Sequence, residues 1–193
     1  MFAELLRQRL GSVIELSPLQ IQQLERHFDL LRRWNRVLNL TSLKKPEEIV
    51  ERHYCESLFL ATHLPQADLR VADVGSGAGF PGIPMAIARP ECSVALIESH
   101  QRKSVFLREA VRDLTNVNVK STRAEEVNET FDWMMSRAVR FCEIERLVAK
   151  LAPNVAILGG DEMPPAICFT WNTPVTVPWG EHRKLWFGSR RST

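Results

Sequence analysis

The chain has 193 residues, of which 45% are hydrophobic and 25% are charged, and its formal net charge is +2. This composition is typical of a globular protein, and no apolar run is long enough to span a membrane. The first residues lack the basic-then-apolar order of a signal peptide. The cysteines form no C-x-x-C pair, which argues against a zinc site and a disulfide framework and favours a cytoplasmic protein. They are Cys55, Cys92, Cys142 and Cys168.

The first third of the chain has the pattern of helices. Ser17 can cap a helix whose first position is Pro18, and Gln20 stands where a capping-box partner belongs. A second helix is expected to begin near Lys44 and to run to His63, where a Leu-Pro pair ends it. These features predict a helical extension over residues 1–64.

From Leu69 onward, short apolar runs alternate with helical segments. Alternation of this kind predicts an α/β core over residues 65–193, in which right-handed crossovers join mostly parallel strands. The predicted strands are 69–74, 93–97, 117–120, 133–136 and 155–158, and the predicted helices are 83–88, 101–114 and 143–151. Residues 167–171 and 184–187 are expected to add an antiparallel pair.

The loop after the first predicted strand has the pattern of a cofactor site. It reads D-x-G-x-G-x-G from Asp73 through Gly75 and Gly77 to Gly79. Glycines let such a turn adopt positive φ and bring a ligand against the main chain. The acid that ends the second strand, Glu98, is placed to accept the two hydroxyl groups of a ribose. A β-branched residue at Gly77 is expected to clash within the loop.

Two cofactors compete for this loop. Gly77-x-Gly79-x-x-Gly82 also satisfies the dinucleotide fingerprint, so a nicotinamide enzyme stays open. The early acid Asp73 is typical of S-adenosylmethionine (SAM) sites, and Pro81 removes an N–H that a pyrophosphate would use. The only tyrosine, Tyr54, lies in the helical region, so it is a poor candidate for hydride transfer. The pattern therefore favours SAM.

Motifs along the chain resemble the RsmG methyltransferases, also called glucose-inhibited division protein B. The resemblance covers roughly residues 20 to 160, and the glycine loop ending in G-x-P-G-I-P is its most specific part. The matching segments are Trp34-Asn35, Asn39-Leu40-Thr41-Ser42, His53, Glu56-Ser57, Asp73 to Pro84, Glu98-Ser99, Lys103, Phe106-Leu107-Arg108, Arg123 to Glu126, Phe131-Asp132 and Ser136-Arg137-Ala138.

The resemblance implies a class I SAM-dependent methyltransferase, with a Rossmann-like sheet, helices on both faces and an antiparallel C-terminal strand. It implies methylation of N7 of one guanosine in bacterial small-subunit (16S) ribosomal RNA. By motif position, Gly75 and Phe80 would contact the cofactor, Ala124-Glu125 would lie beside its adenine, and Arg137 would line the site. With the residues expected from the loop pattern, the cofactor-binding set is Asp73, Gly75, Gly77, Gly79, Phe80, Glu98, Ala124, Glu125 and Arg137.

The chain departs from the family pattern near its end. Family members usually carry a Lys-Gly pair after the fifth strand, where this chain has Gly159-Gly160. The long helix expected next is replaced by the proline-broken Asp161–Pro165, and Gly180–Leu185 resembles the family's closing G-E-R-H-L with His and Arg exchanged. Two alternatives therefore stay open: a SAM enzyme acting on a small molecule, and an impaired homologue that binds SAM or RNA.

Methylation at guanine N7 needs no general base, because N7 carries a lone pair and no proton. No proton-transfer residue and no metal site are therefore predicted. The candidates on the substrate side are Arg123, Arg137, Arg140 and His53. Ion pairs with Glu125 or Asp132 are the competing interpretation for Arg123 and Arg137, and packing is the competing one for His53.

Basic residues on the predicted helices favour RNA as the partner, either naked or in the 30S particle. A monomer without membrane contact is expected. The basic residues are Arg26, Arg33, Arg36, Lys44 and Lys45, with Arg102, Arg108 and Arg112 as a second cluster.

Overall fold

The computed structural model describes residues 1–137 and 140–191. Its α-helices are α1 (Phe2–Leu10), α2 (Pro18–Leu38), α3 (Pro46–Ile49), α4 (Glu56–His63), α5 (Gly82–Ala88), α6 (Gln101–Ala110) and α7 (Phe141–Leu151). Its strands are β1 (Arg70–Val74), β2 (Ser93–Ile97), β3 (Val117–Lys120), β4 (Trp133–Arg137), β5 (Asn154–Gly159), β6 (Phe169–Trp171), β7 (Val175–Thr176) and β8 (Lys184–Arg190).

The strands form one mixed sheet in the order β3-β2-β1-β4-β5-β8-β6, and β7 also pairs with β8. Strands β3, β2, β1, β4 and β5 are mutually parallel, whereas β8 runs antiparallel to β5, β6 and β7. The expected antiparallel pair is present as β6 against β8. The chain order reverses between β1 and β4, and such a switch point opens a crevice at the carboxyl ends of the strands.

Both faces of the sheet are buried, and the strand residues divide between two hydrophobic clusters. Along β1, Val71 belongs to the cluster that also contains the front helices, whereas Ala72 and Val74 belong to the cluster under α7. Strand β2 alternates in the same way. Parallel strands with two covered faces therefore appear as continuous apolar runs in the sequence.

The front helices pack directly on the sheet. Helix α2 begins with the expected capping box, in which Ser17 and Gln20 exchange hydrogen bonds. Helix α1 was not predicted as a separate element, although Phe2, Leu6 and Leu10 recur every four residues and are buried. Residues of α1, α2 and α4 share one hydrophobic cluster with β1 and β2. The division at residues 64 and 65 stays a prediction.

The second predicted helix is interrupted, which corrects the expectation of one continuous α-helix up to His63. Between α3 and α4, residues Val50–Cys55 form a π-helical segment. A π-helical turn adds one residue to the repeat and is frequent at functional sites. It lies next to the crevice and carries two residues of the site described below, Arg52 and His53.

Among residues 1–137 and 140–191, no helix is both long and apolar enough to cross a membrane. The same residues include no group of three or more His, Cys, Asp or Glu side chains arranged to hold a metal ion.

Candidate functional site

The glycine loop joins the end of β1 to α5. Gly75, Gly77 and Gly79 all have positive φ, at 75°, 56° and 86°. The N–H groups of Gly75 and Ser76 donate to the carbonyl of Ile97 at the end of β2, over 2.9 and 3.2 Å. The loop is therefore fixed by backbone hydrogen bonds at the carboxyl edge of two neighbouring strands.

Steric constraint within the loop is strongest at two glycines other than Gly77. A Cβ on Gly77 would meet only the carbonyl of Gly75, at 3.7 Å, so the clash expected there is absent and only its positive φ opposes a side chain. A Cβ on Gly82 would lie 2.6 Å from Oδ2 of Asp73, and a Cβ on Gly79 would lie 2.8 Å from Cγ1 of Ile83.

Asp73 is a fully buried carboxylate with one unsatisfied oxygen. Its Oδ2 accepts a hydrogen bond from the N–H of Gly82 over 2.9 Å, whereas its Oδ1 has no partner among the described residues. Burial raises the pKa of Asp73 from 3.8 to about 7, against the opposing effect of the Gly82 hydrogen bond. A buried polar atom without a partner is costly. The orphaned oxygen therefore indicates a place where a ligand donor or cation completes the site.

Glu98 shapes the other side of the crevice. Its carboxylate accepts the N–H of Gly77 at 2.9 Å and the N–H of His100 at 2.8 Å, one on each oxygen. Each oxygen keeps a second lone pair. Glu98 can therefore hold the loop and still accept two hydroxyl groups, as expected for a ribose site.

His53 lies against the loop from the π-helical segment. Its ring stacks on Phe80 with centroids 4.6 Å apart, and its Nε2 is 2.7 Å from Oγ1 of Thr41. Asn35 holds Thr41 by exchanging two hydrogen bonds with its backbone. Burial lowers the pKa of His53 to about 3, and the nearby Arg137 lowers it further. The imidazole is therefore neutral at pH 7.

His53 also keeps an unused nitrogen. Its Nδ1 is buried and has no hydrogen-bond partner among the described residues. Thr41 Oγ1 already accepts the N–H of Leu43 over 3.2 Å, so its own hydrogen is available to His53 Nε2. A hydroxyl can donate one hydrogen bond and accept two, so the contact with Thr41 accommodates either tautomer of His53.

An arginine cluster borders the crevice and consists of Arg52, Glu56, Arg137 and Arg183. Glu56 is 0% exposed and pairs with the Arg183 guanidinium through two hydrogen bonds of 3.1 and 2.8 Å. Arg52 Nε lies 3.3 Å from the same carboxylate. Arg137 donates to the carbonyl of Arg52 over 2.6 Å, and burial lowers the pKa of Arg137 to about 10.

The sequence predicted only part of the arginine cluster. Arg137 was expected at the site, but it forms no ion pair with Glu125 or Asp132 among the described residues. Glu56 carried a signal, since it is an acid at the start of an apolar helix. Arg183 lies in the closing segment that resembles the family motif, but its pairing with Glu56 was not predicted, because the two residues are 127 positions apart in the chain.

The remaining predicted residues follow strands β3 and β4, at the same edge of the sheet as the loop. Ala124 and Glu125 form a single 3₁₀ turn after β3, and Arg123 precedes it as an exposed side chain. Arg140 begins α7 and forms an exposed ion pair of 2.7 Å with Glu143. Ala138 of the family motif lies outside the described residues.

A family model described as rRNA small subunit methyltransferase G matches residues 20–158. The chain belongs to this family. A relative from Nitrosomonas europaea is 43% identical over 131 residues, which cover 66% of this chain and 59% of the relative. A relative from Chromobacterium violaceum is 39% identical over 180 residues, or 86% of each chain. Both are named Ribosomal RNA small subunit methyltransferase G. The chain thus spans about three-fifths of the first relative's length.

Solved structures agree on the fold. A SAM-dependent methyltransferase from Aquifex aeolicus superimposes with a TM-score of 0.60 at 16% identity, covering 79% of this chain and 97% of its own. Magnesium protoporphyrin IX methyltransferase from Synechocystis, solved with bound SAM, gives a TM-score of 0.61 at 11% identity and covers 99% and 98%. The predicted class I methyltransferase fold and the resemblance to the RsmG family are confirmed.

Proposed function

We propose that this chain transfers a methyl group from SAM to N7 of a guanosine in small-subunit ribosomal RNA. The observation that carries the proposal is the family match over residues 20–158, since it contains the whole glycine loop and both carboxylates beside it. The chain spans only part of its first relative, so its activity and substrate are inferred from the site and the family together.

The residues of the crevice fit SAM. Glu98 offers two carboxylate oxygens to the ribose hydroxyls, and the unpartnered Oδ1 of Asp73 offers negative charge to a cationic cofactor. Gly75 to Phe80 would hold the amino-acid part against backbone. Ala124 and Glu125 would lie beside the adenine, and Arg137 would complete the site with its unused guanidinium donors.

The main contribution of the protein to this reaction is to position the guanine and the methyl donor. SAM supplies an electrophilic methyl: the lone pair of N7 forms the new N–C bond while the C–S bond breaks, and its electron pair stays on sulfur. No proton moves, so the neutral His53 is not required as a base. His53 and Arg137 would orient the guanine beside Phe80, and the remaining substrate-side candidates, Arg123 and Arg140, would meet RNA farther out.

A direct assay tests the function. Unmethylated 16S rRNA, as naked transcript and as 30S particles, is incubated with the protein and labelled SAM, and the digested nucleosides are analysed by mass spectrometry. We expect 7-methylguanosine from at least one of these forms. Label in neither form would contradict the proposal, and tighter binding of NADH than of SAM by calorimetry would favour the nicotinamide alternative.

One observation favours a second candidate, a homologue that binds SAM and RNA without turnover. The lysine usual in the family is absent, and Gly159-Gly160 stands in its place at the end of β5. In the same assay, this candidate predicts binding of both SAM and RNA with no methylated product.

A further inference from the structure

Helix α2 presents two clefts with the same number of positive charges. The open cleft, of about 230 Å³, lies beside the π-helical segment, and the paired cleft, of about 240 Å³, lies against α6. The open cleft is lined by Leu31, Arg32, Asn35, Arg36, Thr41, Leu43, Lys44 and Ile49. The paired cleft is lined by Arg26, Asp29, Leu30, Arg33, Glu109, Ala110, Arg112 and Asp113.

The two clefts differ in their acids. Three cations and three acids line the paired cleft, whereas three cations and no acid line the open cleft. In the paired cleft, Asp113 lies 3.0 Å from Nη1 of Arg26 and 3.9 Å from Nε of Arg112. Within the described part of the chain, the cations of the open cleft form no ion pair, and all three are exposed. The formal charge of the lining is therefore +3 in one cleft and zero in the other.

The open cleft is also connected to the cofactor loop. Thr41 lines it, and the Thr41 hydroxyl contacts His53, whose ring stacks on Phe80 of the loop. One side chain thus separates the cleft from the crevice. In contrast, α6 and the turn after it contribute four residues to the lining of the paired cleft, and the indole of Trp34 donates to Glu109 there over 3.0 Å.

We propose that the open cleft binds phosphodiester groups of the RNA strand that flank the target nucleotide, and that the paired cleft does not. The choice of RNA as the ligand of this cleft rests on the proposed function. An uncompensated group of Arg and Lys side chains is the feature that binds phosphates and releases their counterions. The proposed set differs from the basic residues expected from the sequence, because it includes Arg32 and leaves out Arg26 and Arg33.

The test compares two triple variants that remove equal charge. Arg32→Gln/Arg36→Gln/Lys44→Gln is measured for binding to unmethylated 16S rRNA by filter assay between 50 and 200 mM salt, roughly the range over which counterion release dominates. We expect a loss of about tenfold or more in affinity and a salt slope smaller by about 2, since about three phosphate contacts are removed. Calorimetry with SAM should give an unchanged Kd.

The matched variant is Arg26→Gln/Arg33→Gln/Arg112→Gln. We expect its loss of RNA affinity to be less than about threefold, because Arg26 and Arg112 already contact Asp113 and the three acids of the lining balance its three cations, although Arg33 forms no ion pair in the described part of the chain. Equal losses in the two variants, or a larger loss in this one, would overturn the assignment. Circular dichroism and thermal melting establish that each variant folds, and Arg32→Lys/Arg36→Lys should restore binding because it keeps the charge.

The outcome is separable from that of the proposed function. If the wild-type protein binds RNA through the open cleft but transfers no methyl group, the proposed function is wrong and the assignment of RNA binding to the open cleft is supported. If it methylates 16S rRNA while both triple variants lose RNA affinity equally, the proposed function is supported and the assignment of RNA binding to the open cleft is wrong. Absence of RNA binding by the wild-type protein would overturn the assignment of RNA binding to the open cleft.

Discussion

The glycine loop and the arginine cluster border the same crevice but are held together in different ways. In the loop from Asp73 to Gly82, backbone N–H groups donate to the carbonyl of Ile97 and to the carboxylates of Glu98 and Asp73. The arginine cluster depends on charged side chains from the π-helical segment, the first residue of α4, the last residue of β4 and the residue before β8.

This difference determines what each region tolerates. The loop depends on the absence of side chains at particular glycines, so it is sensitive to added volume. The cluster depends on the mutual pairing of buried charges, so it is sensitive to removal of any one charge. Substitutions in each region should therefore fail for different reasons.

The largest effect is expected where the buried pair is broken. Glu56→Ala leaves Arg183 without its carboxylate, and we expect the free energy of unfolding to fall by about 3–5 kcal/mol, the range for breaking a buried ion pair. Urea denaturation measures it, with the exposed Glu48→Ala as the control. A loss below about 1 kcal/mol would contradict the buried role of the pair.

A side chain added to the loop should have the next largest effect. Gly82→Ala brings a Cβ against Leu96 and to 2.6 Å from Oδ2 of Asp73, and we expect a loss of about 3 kcal/mol in stability. Gly77→Ala, which has open space but a φ of +56°, should cost about 1 kcal/mol. Equal losses at both positions, measured by denaturant unfolding, would show that packing does not distinguish the two glycines.

Removing the carboxylate that the loop shares with the cofactor should weaken SAM binding. We expect Glu98→Ala to lower the binding free energy by about 1–3 kcal/mol, as for a lost hydrogen bond to a charged group. Calorimetry measures the effect. Glu98→Gln, which keeps one acceptor oxygen, should lose less, and an unchanged affinity in both variants would remove Glu98 from the site.

The pKa of Asp73 predicts a pH dependence. Because it is raised to about 7, the carboxyl is protonated in the folded protein over a range where the unfolded chain is ionised, and its contribution to stability falls as pH rises from about 4 to 7. Affinity for the cationic SAM should change in the opposite direction, falling up to about tenfold per pH unit below 7. In Asp73→Asn, calorimetry from pH 5.5 to 8.5, roughly centred on that pKa, should show this dependence lost. If SAM affinity depended on pH equally in Asp73→Asn and in the wild type, Asp73 would not be the group responsible for this pH dependence.

The smallest effect is expected at the missing lysine. A Cβ on Gly159 would have no neighbour closer than 3.9 Å, so Gly159→Lys should leave stability within about 0.5 kcal/mol. We expect RNA affinity to rise about twofold to fivefold, as one phosphate contact allows. If methyl transfer appears only in this variant, the candidate without turnover is the correct one for the natural chain.

Most residues around the glycine loop were predictable, because the pattern that places them lies in two neighbouring strands and the turns directly after them. Asp73, the glycines and Glu98 follow two neighbouring parallel strands, and the strand pattern alone brings them to one edge. The π-helical segment was not predictable, because its apolar spacing differs from that of an α-helix by only one residue. The two clefts of α2 were not separable either, because Asp113, the acid that pairs with Arg26, reaches α2 only through the packing of α6.

The bond between Glu56 and Arg183 has a consequence for the order of events during synthesis. Their separation of 127 residues means that Arg183 must be synthesised and leave the ribosome before the front carboxylate finds this partner. Contacts so distant in sequence form late and slow the search for the native topology. Until then Glu56 has only Arg52 as a charged partner in an incomplete core, and we expect chains interrupted before Arg183 to be degraded or to aggregate.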